Sequence, residues 1–426
     1  MTNEITLITR VRTNNKGNQA LSAAWVNMLQ QAFEGAAVRV MERRPMHLLQ
    51  YTLEHFASAR DPIRAFDEVT SKLARLAPGP SFVGPPPRPE IIIDEKITPV
   101  PPFARLRQRL NLRRWSALAG RYREAYQRRL AAAQRSRFVL VNPAGEFFPH
   151  DPKPALYHLL DAFVIHKLGR PTAIVNHTMD ITDPTLRKLI PWIYRKLNLV
   201  GFRDDKSISA FQQMGGDTAN VVVTPDLALT TNVTKRNPRR PNTIAVAIHT
   251  PEAEIIKRDG QWIDLIARLR ACGFEVALIS NELPSDRAFF DRVQARMPVR
   301  VEGAELGYQD YAALLASYDF LVSSRMHTNI LAMCAGTPVI PVEGPSFKIS
   351  GLFQALGFER PVIHPLSPGW ADQVLEQALA MRDRRDAAAE ETTRRIATTR
   401  ARIIEQLVPR LQAAVNPTSS IEATVS

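Results

Sequence analysis

Arg325 and His327 stand one residue apart, directly after the apolar run Phe320-Leu321-Val322. The order reads as a buried parallel strand, a turn and the start of a helix. A helix start presents unpaired backbone N–H groups and the positive end of the helix dipole. A guanidinium and an imidazole added at that point make an anion site that can also handle a proton. Taken singly, a strand-end arginine is a surface ion pair and a lone histidine a satisfied polar group. Their occurrence in one turn is what marks them as site residues. Two further cations follow strand ends, Arg203 in Gly201-Phe-Arg-Asp-Asp-Lys-Ser207 and Lys348. An arginine fork binds a carboxylate or phosphate in bidentate fashion, and a lysine adds a compact point charge. Arg203, Arg325, His327 and Lys348 together suit a small, multiply anionic ligand better than a neutral sugar.

A second set of residues sits at other strand ends. In Asn14-Asn15-Lys16-Gly17-Asn18, Gly17 lets the backbone turn tightly before a helix, and the N–H groups that follow can face a ligand. The alternative is an ordinary strand-to-helix turn capped by Asn18. Gly145 and Glu146 follow the strand Val139–Val141, with Glu146 either a cleft carboxylate or a surface one. His177 and His249 also end strands, and each either lines the cleft or is a satisfied polar group. Asp226, after Thr-Pro, is expected to fix a turn rather than do chemistry.

The elements that must carry these residues alternate along the chain. In the first half, strands are expected at Ile5–Thr9, Ala37–Met41, Phe138–Asn142, Thr172–Asn176, Leu199–Phe202 and Val221–Val223. A helix spans about 19–33, and another spans Ala155–Leu168. After a polar and basic linker, Thr230–Asn242, the strands are Ile244–Ile248, Glu275–Ile279, Val299–Val301, Phe320–Val322 and Val339–Ile340, with helices between them. Strand–helix alternation implies parallel sheets with right-handed crossovers. The expected fold is therefore α/β, two Rossmann-like domains facing a cleft, at 1–235 and 236–385. Ligands in such sheets bind beyond the carboxyl ends of the strands. A charged C-terminal helix at 386–415 has an apolar edge at Ile396, Ile403 and Leu407, and 416–426 reads as a disordered tail.

Within the first domain lies a Pro/Arg-rich insert at about 78–137. Pro78–Pro102 has no regular pattern. Pro101–Arg137 holds eleven Arg and one Glu, most of the net charge of +13. The spacing Leu112, Trp115, Ala119, Tyr122, Tyr126, Leu130 gives an apolar stripe on an otherwise basic helix. That helix either docks on the core or, over 105–137, lies on an anionic membrane surface or polymer. No nucleic-acid recognition motif is present, and no nucleic-acid partner is expected. Cys272 and Cys334 have no metal-ligand spacing and read as buried free thiols of a reducing compartment. No signal peptide and no apolar run long enough to span a bilayer is found, so a cytoplasmic protein, peripheral to the membrane at most, is expected.

Several of these segments resemble the polysaccharide pyruvyl transferase family. They are the Asn15-Lys-Gly-Asn-Gln-Ala20 loop, Phe202-Arg-Asp-Asp-Lys-Ser207, Thr224-Pro-Asp-Leu-Ala228, Ser324-Arg-Met-His-Thr-Asn-Ile-Leu-Ala332 with Ala335-Gly-Thr-Pro-Val-Ile340, and Lys348. The resemblance implies a fold like that of GT-B glycosyltransferases. It also implies transfer of the pyruvyl group of phosphoenolpyruvate to a saccharide or lipid-linked glycan as a ketal, with no metal or other cofactor. Arg203, Arg325 and Lys348 would hold the donor, with His327 and Arg325 as the catalytic pair. Asn15, Gly17, Asn18, Glu146, His177 and His249 would lie on the acceptor side of the cleft. The chain departs from the family pattern at Asn18, where Asp is usual, and at Pro143-Ala-Gly-Glu-Phe147, where a glycine-rich turn is usual. The alternatives are a nucleotide-sugar glycosyltransferase of the same fold, for which Glu343 is the nearest ribose-binding acid, and a non-catalytic membrane or polymer binder.

Overall fold

The computed structural model describes residues 3–11, 13–78, 112–249, 259–344 and 346–415. The proline-rich stretch, the insert up to residue 111 and the tail at 416–426 lie outside the described residues.

Uninterrupted apolar runs such as Phe138-Val-Leu-Val141 are what a strand buried on both faces requires, and parallel sheets are built of them. Two such sheets form. The N-terminal sheet has the order β2-β1-β3-β4-β5-β6, from β1 (Glu4–Thr9), β2 (Ala37–Glu42), β3 (Phe138–Val141), β4 (Thr172–His177), β5 (Leu199–Phe202) and β6 (Val221–Val223). The C-terminal sheet has the order β11-β10-β7-β8-β9, from β7 (Thr243–Ala247), β8 (Glu275–Ile279), β9 (Arg300–Glu302), β10 (Phe320–Ser323) and β11 (Val339–Pro341). Every pairing is parallel. The order reverses between β1 and β3 in the first sheet and between β7 and β10 in the second. These are the points where crevices form at the carboxyl edge.

The helix Lys16–Ala32 begins earlier than the hydrophobic pattern alone suggests. The reason is its cap: Asn15, not Asn18, accepts the helix's third N–H, Asn18 N to Asn15 Oδ1 at 3.1 Å. Its buried face, Ala20, Leu21, Ala24, Trp25, Met28, Leu29 and Ala32, recurs at helical spacing. This face shares one core with residues Leu227–Leu229 and with the helix Met326–Cys334 of the other domain. Each large apolar side chain fully buried there contributes roughly 1.5–3 kcal/mol, so the two domains are cemented by packing near the site itself.

The helix Arg385–Val415 crosses back from the C-terminal domain to the N-terminal one. Ile396, Ile403 and Leu407 are buried. Farther along, Arg410 donates to Val221 O (3.1 Å) and Gln412 to Ala32 O (2.9 Å).

The arginine-rich helix runs from Leu112 to Arg135 and docks on the N-terminal domain. Tyr126 and Leu130 are buried and Arg129 forms a buried ion pair with Asp161, while Arg121, Arg123 and Arg128 face outward. The side chains of Leu112 and Trp115, at the start of the expected stripe, lie outside the described residues; Ala119 is exposed and Tyr122 half-buried. Among the described residues no helix is long and apolar enough to cross a membrane.

Candidate functional site

The carboxyl edges of the two sheets face each other, and Gly17 packs directly against His327 of the other domain. A Cβ placed on Gly17 would lie well inside van der Waals contact of the Cβ, Cγ and Nδ1 of His327. Glycine is needed here for close approach, since its φ is not among the positive ones. The expectation of a tight turn at Gly17 is thus corrected. Lys16 also crosses the boundary. It is buried, and its Nζ donates to Ala304 O at 2.6 Å. Burial lowers its pKa despite Glu305, Asp286 and Glu282 nearby. Asn15 reaches Glu282 (3.2 Å), so Asn15, Lys16 and Gly17 each make a contact across the domain boundary.

Asp226 organises the centre of the crevice. Its Oδ1 accepts the Ala228 N–H (2.9 Å) and caps the short helix Leu227–Thr230, as a turn-fixing residue would. Its Oδ2 does something else. It accepts Arg203 Nη1 at 2.8 Å and lies 3.8 Å from His327 Nε2. That second distance is an ion-pair separation rather than a hydrogen bond, and His327 Nε2 has no hydrogen-bond partner among the described residues. Burial works against ionisation of Asp226, but His327, Arg203 and the Ala228 N–H outweigh it and hold the carboxyl at about 2. Asp226 is therefore a charged link between two of the expected site residues. The sequence signal for it, Thr-Pro-Asp, is indistinguishable from a common turn.

Arg203 is buried, with Nε donating to Thr178 Oγ1 at 2.7 Å. Its Nη2 points elsewhere, to within 3.6 Å of where a Gly145 Cβ would stand. Lys348 Nζ comes to within 3.2 Å of the same point and donates to Gly145 O at 3.0 Å, 4.7 Å above the Phe148 ring. Ala144, just before, holds a left-handed φ of 54°, a conformation that costs a non-glycine residue roughly 1–3 kcal/mol. The strained turn presents Gly145 O to the lysine of the opposite domain. Arg203, Lys348, Asp226 and His327 thus converge from both domains.

The remaining expected residues divide. Arg325 takes the N-cap position of the helix Met326–Cys334, but its guanidinium turns inward. Nε donates to Ile248 O at 2.9 Å, and Nη2 pairs with buried Asp286. His249 follows β7 beside these groups. Burial, then the charges of Arg325 and Lys348, push its imidazole down to about 3, so it is neutral near pH 7. Asn18 is buried on the first turn of its helix.

Two further expectations need correction. His177 does not line the cleft. It is fully buried, bonded to the Tyr194 hydroxyl (2.8 Å) and ringed by Phe147, Tyr194 and Phe202. Burial, with Arg203 nearby, holds its pKa far below the ordinary value. Glu146 faces away from the crevice into its own domain, pairing with Arg43, Arg44 and His158. Sequence cannot separate these from cleft residues, because a strand end offers both an inward and an outward direction.

Glu343 is also committed. Its Oε1 accepts Gly344 N (3.2 Å) and Ile349 N (3.1 Å), and its Oε2 accepts Ser350 N (3.0 Å). It caps the helix Lys348–Ala355 and so fixes Lys348 at that helix's start.

A profile of the polysaccharide pyruvyl transferase family matches residues 15–344. No curated protein matches the chain in sequence. Solved structures share its architecture. S. aureus MnaA in its UDP co-structure aligns over 98% of this chain and 97% of that one, with 15% identity and a TM-score of 0.54. The α,α-trehalose 6-phosphate synthase of Burkholderia multivorans aligns over 100% and 99%, with 11% identity and a TM-score of 0.55. A glycosyltransferase of Rickettsia africae aligns over 98% and 100%, with 10% identity and a TM-score of 0.52. At such identities the likeness is one of fold, and the fold is GT-B-like.

Proposed function

The chain belongs to the polysaccharide pyruvyl transferase family, and from that premise we propose that it moves the pyruvyl group of phosphoenolpyruvate onto a saccharide as a ketal. The observation that carries this reading is the convergence of Arg203 and Lys348, from opposite domains, on Gly145, one residue link away from His327 through Asp226. Phosphoenolpyruvate carries a phosphate and a carboxylate. A guanidinium and an ammonium fixed in a crevice between two low-dielectric walls are suited to both.

In this scheme Arg203 Nη2 and Lys348 Nζ hold the donor's anionic groups. His327 carries the proton that C3 of the enol phosphate must receive as C2 is attacked. Asp226 offsets the imidazolium charge and orients the ring. Arg325 acts by position: bound to Asp286 and Ile248 O, it fixes the turn that delivers His327, and it adds to the burial that keeps His249 neutral. The phosphate then leaves C2, and a second acceptor hydroxyl closes the ketal. The scheme requires no metal or other cofactor.

The test is release of phosphate from phosphoenolpyruvate in the presence of saccharide acceptors. Release is expected from the wild type, and none from His327→Ala. The nucleotide-sugar alternative has less to support it, since Glu343, its nearest ribose ligand, spends both oxygens on backbone N–H groups. Thermal stabilisation by phosphoenolpyruvate and not by UDP is expected; the reverse would overturn the reading. The outward Arg121, Arg123 and Arg128 support a second, peripheral role, attraction to an anionic membrane on the cytoplasmic side. Co-sedimentation with phosphatidylglycerol vesicles, reduced by charge reversal at these three residues, is its expected signature.

A further inference from the structure

A groove of about 580 Å³ opens beside the donor crevice and is lined by both domains. The loop Asp180–Thr182 after β4 forms one side and the helix Asp205–Gln213 another, while Phe347 and Gln354 close it from the C-terminal domain. Its walls combine an aromatic ring, Phe347, with the hydroxyl or amide groups of Thr182, Ser209, Gln213 and Gln354. They also carry the charged Arg187, Asp205 and Lys206, the lysine standing 5.8 Å from the Phe347 ring centroid on one face. That combination fits a pyranose. The C–H face of the sugar lies against the ring, and its hydroxyls meet groups that both donate and accept.

Asp180 is part of the groove wall. Its backbone N–H donates to Phe147 O at 3.0 Å, which ties it to the strained 143–148 turn. Two residues earlier in the same loop, Thr178 holds Arg203. The Asp180 carboxylate accepts no hydrogen bond from a described residue, and the charges that act on it are those of Lys348, His150 and Asp204. Asp180 thus lines the open groove and is under the charge of the donor-crevice lysine.

We propose that this groove is the saccharide subsite and that Asp180 is the base that takes the proton of the attacking hydroxyl. The proposal rests on the pyruvyl-transfer reading and supplies what that reading lacks, an acceptor-side base. As the acceptor oxygen bonds to C2 of phosphoenolpyruvate, its proton passes to Asp180. The C2=C3 electron pair takes the proton of His327 at C3. The product of this step is a tetrahedral adduct with its phosphate still attached. Half-burial raises the Asp180 pKa above that of an ordinary aspartate, with Lys348 opposing, and a stronger base results.

Two measurements on the full-length chain test this. The first is saturation-transfer NMR with p-nitrophenyl β-galactoside, β-mannoside and N-acetyl-β-glucosaminide, without donor. At least one glycoside is expected to bind the wild type, and Phe347→Ala to weaken it about tenfold. No binding, or binding untouched by Phe347→Ala, would overturn the groove. The second is turnover of Asp180→Asn, an isosteric change whose folding is checked by its unfolding temperature. A loss of about 10²–10⁴-fold in kcat is expected, with phosphoenolpyruvate affinity by calorimetry within about twofold and the acidic limb of the pH–rate profile removed. Asp180→Glu is expected to restore part of the rate. Wild-type turnover or an unchanged acidic limb in Asp180→Asn would overturn the base. Calorimetry on the wild type separates the two readings. Glycoside binding without phosphoenolpyruvate binding removes pyruvyl transfer and leaves the groove, whereas donor binding without glycoside binding removes only the groove.

Discussion

Two carboxylates that follow N-terminal strands, Glu146 largely covered and Asp226 fully buried, are each set among arginine and histidine, yet they do different work. Glu146 meets Arg43, Arg44 and His158, all in its own domain and all in direct contact. Asp226 meets Arg203 from its own domain at 2.8 Å and His327 from the other at 3.8 Å. Both carboxyls are held at about 2. For Glu146, burial opposes ionisation, and the His158 hydrogen bond with the charges of Arg43, His158 and Arg44 overcomes it. Composition and acidity are thus alike. The difference lies in saturation: the Glu146 cluster is complete, whereas the Asp226 cluster is stretched across a domain boundary and keeps an unbonded imidazole nitrogen. A completed buried ion cluster serves architecture, and an incomplete one at a crevice is available for chemistry.

The largest effect expected from breaking this comparison is on the incomplete side. His327→Ala should lower turnover by about 10²–10⁴-fold, with a loss of stability smaller than that of Glu146→Gln, since Asp226 keeps Arg203 and the Ala228 N–H when the ring is gone. Steady-state kinetics beside a urea titration read both. The mirror-image change, Glu146→Gln, should do the opposite. Taking the charge from a carboxylate that serves two arginines and a histidine is expected to destabilise by about 3–5 kcal/mol. Turnover of the folded enzyme should stay within about threefold. If Glu146→Gln abolished turnover without destabilising, the division between the two clusters would be wrong.

Gly17→Ala probes the boundary itself. The added methyl meets the His327 ring and must displace it, at a cost of about 1–3 kcal/mol from overpacking. Turnover should fall by at least about tenfold through misplacement of His327. An unchanged KM for phosphoenolpyruvate together with unchanged kcat would show that the ring has room to move.

The smallest effect is in pH. Their surroundings hold Glu146 and Asp226 down to about 2 in the folded chain, against ordinary values of 4.5 and 3.8. The stability they contribute is complete above those values and is lost as pH falls toward 2. His249 acts in the same direction from higher up. Its folded value of about 3 against 6.5 means that the unfolded chain takes up the proton first. His177 and His158, also held below 6.5 by burial, act in the same sense. Stability should therefore begin to fall below pH 6.5 and fall more steeply below 4.5. Glu146→Gln should lessen the slope between 4.5 and 2, and His249→Gln should lessen, without removing, the slope that starts at 6.5.

The sheets were legible in the sequence because apolar runs of four to six residues, punctuated by helices, leave few other solutions. All the expected strands formed within a residue or so of their predicted ends. The Arg325–His327 turn was legible for the same reason, since its position follows from the strand before it. Asp226 was not legible as more than a turn residue. One of its oxygens does cap a turn, and the other is defined only by Arg203 and His327, distant in sequence. His177 and Glu146 failed in the opposite sense. They occupy strand ends as the cleft residues do, but a side chain's direction there is set by aromatic packing around His177 and by the arginines after β2 around Glu146.

Local chemistry in the sequence thus determined the elements, their parallel order and the presence of cationic groups at the strand ends. Tertiary structure alone decided which of those groups share a crevice, because facing two sheets across a boundary is a property of domain packing. No spacing along the chain encodes the contact of Gly17 with His327, or of Lys348 with Gly145. Those pairs are joined only when the buried face of the Lys16–Ala32 helix packs on the second domain and leaves the polar turns opposed.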